Sequence, residues 1–142
     1  MERQPGEIQV TMLLCDAAES SGGKLYILGG GWSQVQTPNV PINMVLAVKL
    51  SVPWDQANRP IPVKASLYDE DRHEVIRIGE DEVPVEVEGA IETGRPPGLR
   101  PGTSLDVPFV LPFPGIALES GSYDWVLEVD GEVRASAPFR VL

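Results

Sequence analysis

Ten carboxylates crowd residues 69 to 92 (Asp69, Glu70, Asp71, Glu74, Glu80, Asp81, Glu82, Glu86, Glu88 and Glu92), against only Arg72 and Arg77. They account for most of a formal net charge of −10. Oxygen-rich loops at one end of a β-sandwich can hold calcium, and Asp69, Asp71 and Glu74 are the oxygens best spaced to try. The run 69–74 is no EF-hand, because Glu74 stands where that loop needs glycine. Glu86, Glu88 and Glu92 alternate along one strand face, where charge keeps a sheet wet and discourages edge pairing. The expected state of the stretch is therefore a solvated face, with a calcium site at Asp69, Asp71 and Glu74 as the alternative.

Other candidate chemistry is thinner. His73 is the single histidine and Cys15 the single cysteine. A nucleophilic dyad needs two such groups in contact, and Cys15 stands in a strand-like setting far along the chain from His73. Gly23-Lys24 is not a phosphate loop, which would need glycine at position 18, where Ala18 stands, and Ser or Thr at position 25, where Leu25 stands. Gly29 to Gly31 lack the spacing and following helix of a dinucleotide fingerprint and read as a kink in a strand. No cofactor is expected, and no catalytic residue is assigned.

Partner binding has better candidates. Trp54 lies in a connection, where it can plug a sandwich end or meet a partner. The loop 95–102, Arg-Pro-Pro-Gly-Leu-Arg-Pro-Gly, pairs the cations Arg95 and Arg100 with proline stiffness, which lowers the cost of ordering on binding. Leu13 is apolar on what should be the wet face of the first strand. Leu13, Trp54, Arg95 and Arg100 form the predicted contact set.

The elements that must hold these residues are strands. Ile8, Val10, Met12 and Leu14 alternate with polar or exposed positions, as a half-buried strand does. Residues 16–23 read as a polar turn. Residues 24–28 are apolar on both faces and are predicted to form a central strand. Ile42, Met44, Leu46, Val48, Leu50 and Val52 give the longest alternation, and Val63 to Tyr68 another strand. Val83, Val85, Val87, Gly89 and Ile91 alternate with Pro84, Glu86, Glu88 and Ala90. Leu105, Val107, Phe109, Leu111 and Phe113 share a face in a strand that Pro108 and Pro112 confine to an edge. Tyr123, Trp125 and Leu127 lead into a hairpin with Val133, Ala135, Ala137, Phe139 and Val141. A two-residue Asp130-Gly131 loop would set Trp125 opposite Ser136. A three-residue loop instead sets Leu127 opposite Val133, Trp125 opposite Ala135 and Tyr123 opposite Ala137, and is predicted because it keeps core with core.

Composition bounds the rest. With 142 residues the chain suits one domain, 1–142, that buries about 68% of its unfolded surface. Fourteen Gly and fourteen Pro favour short elements joined by turns. Strong acidity argues against nucleic acid or an anionic membrane as partner. A lone cysteine excludes an internal disulfide. Residues 1–7 lack a signal-peptide pattern, so a cytoplasmic location is expected.

Several phrases resemble a known family when taken together: Leu14-Cys15-Asp16, the run 23–32 ending in Gly29-Gly30-Gly31-Trp32, the run 52–59, Gly94-Arg95-Pro96-Pro97-Gly98-Leu99, and Tyr123-Asp124-Trp125. The family is one of short bacterial, actinobacterial-type proteins known only as a domain of unknown function. The resemblance implies a small β-sandwich and transfers no activity. The expectation is thus an all-β protein, a single antiparallel sandwich of about eight strands, immunoglobulin-like or C2-like. Its expected role is a non-catalytic interaction or assembly module whose partner is protein, including a second copy of itself. The alternative role is binding of carbohydrate or calcium by loops at one end.

Overall fold

A computed structural model describes residues 6–36, 38–77 and 82–142. Glu80 and Asp81 of the acidic stretch lie outside the described residues. The chain forms β1 (Gln9–Ser21), β2 (Lys24–Gly30), β3 (Gln34–Val35), β4 (Ile42–Val52), a single 3-10 turn (Trp54–Gln56), β5 (Ile61–Asp69), β6 (Ile76–Arg77) and β7 (Val83–Pro84). It continues through β8 (Glu86–Ile91), β9 (Leu105–Ile116), β10 (Gly121–Val129) and β11 (Glu132–Val141). The count exceeds the eight expected because β3 and β6 are two-residue pieces too short to read, and because the predicted strand 83–91 splits into β7 and β8, with Val83 and Val87 of its apolar set exposed. No helix among the described residues is long and apolar enough to cross a membrane.

Two open sheets result, ordered β2-β1-β4-β9 and β3-β11-β10-β5-β8, with β6-β7 as a small separate pair. Their facing sides share one core. Leu14, Met44, Leu46, Val48 and Leu50 from the first sheet meet Val63, Leu67, Trp125, Leu127 and Phe139 from the second. The strict alternation of β4 supplies the centre of one wall. Trp125 supplies the centre of the other, fully buried, its ring 4.2 Å from that of Phe113 across the core. β9 closes its sheet as an edge strand, where missing proline N–H groups cost no ladder bonds.

Four sequence expectations need correction. Residues 16–21 are not a turn; they continue β1 as far as Ser21 and pair with β2. Only Gly22-Gly23 turns, at φ 59 and 75, the left-handed pair that a two-residue type I′ hairpin loop requires. The run 24–28 is not a central strand, because β2 pairs with β1 alone and ends the sheet. Val45 and Ala47, expected on the wet face of β4, are buried because Ala18 and Leu25 of the β1–β2 hairpin pack over them and Cys15.

The fourth correction concerns the last hairpin. Its loop is the two-residue Asp130-Gly131, at φ 54 and 78, with Val129 opposite Glu132. Parity is rescued by a bulge at Arg134: Glu128 faces Val133, but Leu127 faces Ala135, Trp125 faces Ala137 and Tyr123 faces Phe139. Core still meets core, two residues out of the predicted register, and Val133 ends up 64% exposed. A bulge adds one unpaired residue and so turns the rest of the strand over, the correction that had been assigned to a longer loop.

Candidate functional surface

The acidic turn builds itself. Asp69 closes β5 and its Oδ1 accepts the N–H groups of Asp71 and His73, both at 2.9 Å. This is the local capping that makes Asp a turn residue. His73 Nδ1 stands 4.0 Å from Asp69 Oδ2. Ligand atoms of Asp69, Asp71 and His73 fall within 4.8 Å of one another, whereas Glu74 lies outside that group and bridges to Tyr68. Glu70, Asp71, Glu74, Glu82, Glu86, Glu88 and Glu92 are all exposed. With one Asp69 oxygen already committed to backbone, millimolar calcium is expected to leave the melting temperature unchanged, since a ligand bound only to the native state must raise it. A rise with calcium that magnesium does not reproduce would contradict this.

Trp54 and Arg95 meet at the other end of β5. The Arg95 guanidinium lies 4.8 Å from the centre of the Trp54 ring and donates from Nε and Nη2 to the Trp54 carbonyl at 3.0 and 2.7 Å. Cation–π contact and two charge-assisted hydrogen bonds pin loop to turn, while the half-buried indole packs on the core. Arg100 is exposed, and its carbonyl accepts from the Thr103 hydroxyl at 2.6 Å. Leu13 stands apart, 42% exposed and opposite Ala47, seven residues before Trp54 along the chain. At roughly 3.3 Å per residue the two are far separated, so the predicted contact set does not converge.

The same end carries an ion pair. Arg59 grips Asp130 at the tip of the last hairpin with Nη1 and Nη2 at 3.0 and 2.7 Å, while Asp130 N–H donates to the Pro62 carbonyl. The hydrogen bonds from Arg59, followed by its charge, hold the Asp130 carboxyl below its ordinary value. A depressed folded-state pKa stabilises above the unfolded value of about 3.9, and that stability is lost as pH falls through the folded value. Asp130→Asn suits the left-handed turn position equally well. It is therefore expected to flatten the acid limb of the stability profile below about pH 4 with little structural change. An acid limb identical to wild type would contradict the assignment.

Burial acts on the thiol. Cys15 Sγ donates to the Val45 carbonyl at 3.2 Å, and burial, helped by the neighbouring Asp16 charge, raises its pKa. A buried thiol held protonated is a poor nucleophile.

Sequence reasoning missed the most exposed apolar feature. β4 partners β1 along residues 9–15 only, so beyond Cys15 the β1–β2 hairpin is a two-stranded arm. It changes direction at Asp16 and Gly29, where Gly29 takes φ 62 and the Asp16 carboxylate fills the space of a Cβ. Ala18 and Leu25 turn in over Cys15, while Tyr26, Ile27 and Leu28 face solvent at 57%, 39% and 72% exposure. The signal was present in Gly22-Gly23, an ideal two-residue hairpin loop with strand on both sides. An apolar crevice of about 250 Å³ also opens between β8 and β9, lined by Val87, Ile91, Phe109 and Leu111.

Two open sheets over one core, with an apolar edge arm and an acidic turn at the end of β5, define an all-β module. The chain belongs to DUF6941, a family of unknown function, whose model matches residues 10–142. Neither the curated proteins nor the solved structures offer a match to it.

Proposed function

We propose that the protein is a non-catalytic interaction or assembly module that associates with itself. The observation that supports this is the run of exposed apolar side chains Tyr26, Ile27 and Leu28 on an edge strand. Contiguous apolar surface of that kind marks contact with another protein, and an edge strand adds unpaired backbone groups that invite one. Copies that each carry a charge of −10 repel, so association is expected to tighten as salt screens them. Light scattering coupled to size exclusion at about 50 µM, near a useful limit for micromolar affinity, tests the reading. A multiple of the 15.4 kDa chain mass supports it, and a monomer at every salt concentration rejects it.

The reading includes an immunoglobulin-like sandwich in preference to a C2-like one. It is supported by a strand order in which β1-β4-β9 resembles A, B and E, and β8-β5-β10-β11 resembles C′, C, F and G. Tyr123, at the start of the F-like strand, donates its hydroxyl to the Glu119 carbonyl at 2.8 Å, the pattern of a tyrosine corner. A bacterial, cytoplasmic setting belongs to the same proposal and rests on the sequence pattern. The second reading, a sandwich that binds carbohydrate or calcium through end loops, is favoured by the cluster of Asp69, Asp71 and His73. The calcium melting experiment decides its metal half.

A further inference from the structure

We propose that β2 pairs antiparallel with β2 of a second copy, with the two-fold axis at Ile27, fusing two four-stranded sheets into one. This rests on the self-association read above and names its surface. The argument begins with the edges. β9 is blunted: Pro108 and Pro112 face Lys49 and Val45. Lacking N–H, neither can belong to a hydrogen-bonded pair, so their nitrogens point outward and leave gaps in the free edge. β8 is six residues long and carries Glu86 and Glu88, and β3 is two residues long. The far side of the arm, residues 16–21, carries Asp16 and Glu19. Each is a device that keeps strands from adding. β2 has neither a proline nor an inner charge: Lys24 is its one charge, at its first position, and its kink at Gly29 lies near the other end.

Pairing of β2 with its own copy is isologous and closed, and it is favoured over the free side of Gln9–Leu14 because Tyr26 and Leu28, at 57% and 72% exposure, leave more apolar surface to cover than Leu13 at 42%. The ladder agrees. Ser21 and Lys24 flank the two-residue loop and form the hydrogen-bonded pair, so Leu25 and Ile27 point their N–H and C=O groups away from β1, while Gly29, at φ 62, leaves the ladder. Centred on Ile27, the outward groups of Ile27 meet those of Ile27 in the second copy, and the regular stretch runs from Tyr26 to Leu28. Tyr26 then lies opposite Leu28 of the second copy, twice over, in the close non-hydrogen-bonded pairing where aromatic–aliphatic contacts count most. The two most exposed side chains of the arm cover each other.

Charge fits the same register. Lys24 is the only cation in β1 and β2, and Asp16 lies at the opposite end of the arm, beside Gly29. An antiparallel two-fold carries each Lys24 toward the Asp16 end of the second copy's arm.

The experiment uses the full chain with two kinds of variant. Tyr26→Lys and Leu28→Lys change side chains that the fold leaves in solvent, so melting temperature is expected to hold while dimer mass at about 50 µM falls to monomer. Ile27→Cys places two thiols across a hydrogen-bonded antiparallel pair, whose Cα separation of about 5.5 Å suits a disulfide. Mild oxidation should link it between chains, whereas Val133→Cys, exposed on β11, should not link. A wild-type dimer that survives both lysine substitutions, or an Ile27→Cys chain that links no better than Val133→Cys, overturns the β2 pairing and leaves self-association standing. A wild-type monomer overturns both.

Discussion

Trp125→Ala is expected to cost about 3–5 kcal/mol, the range for removing a large aromatic from a core that can only partly collapse. Trp125 is fully buried, tilted 35° against Phe113 at 4.2 Å, so its loss removes contacts from both sheets at once. Urea unfolding followed by circular dichroism gives the number directly. A double-mutant cycle with Phe113→Ala should show a coupling of about 0.5–3 kcal/mol, since the rings share one space. A cost under about 1 kcal/mol would mean that the two sheets do not meet at this residue.

The second large effect is a contrast within one strand. Phe139 is buried, stacks on Tyr123 at 5.5 Å and meets Trp32 edge-on at 5.8 Å, so Phe139→Ala should cost about 3–5 kcal/mol. Val133→Ala, on the same strand and of the same parity, should stay within about 0.5 kcal/mol because Val133 is solvated. The three-residue loop buries Val133, and the bulge at Arg134 does not. Equal costs at the two positions would restore the longer loop.

Why the alternation was legible and the bulge was not has a simple physical origin. A strand with one buried face writes that face into every second residue, and β4, β10 and the proline-marked edge β9 were readable for that reason. Parity of the last hairpin was readable too, because turning a strand over would have buried Ser136 and Arg134. The device that corrects parity leaves no such trace: bulge and longer loop give the same inward set up to Ala135. β1 beyond Cys15 fails the alternation test because only Ala18 of residues 16–21 packs on the fold, and backbone pairing with β2 holds the rest.

The candidate surface was partly legible for the same reason. The run 24–28 announced a strand, but whether a strand is central or at an edge depends on neighbours brought in from elsewhere in the chain. Two apolar faces normally mean two covered faces. In β2 one is covered by its own sheet and the other is bare. Trp54 and Arg95 were singled out as partner contacts, and the structure joins them to each other.

The order of strands also sets a timetable for folding. β10 and β11 are joined by two residues, and β1 and β2 by Gly22-Gly23, so both hairpins can close in about 1–10 µs. β4 and β9 pair Leu46 with Leu111 across the intervening second-sheet strands β5 and β8. Closing that loop is entropically expensive and comes late, which places the domain among all-β folds that take about milliseconds to seconds. Until β9 docks, the first sheet has two open flanks, β2 and β4, and a refolding chain at high concentration is exposed to mispairing along the longer of them.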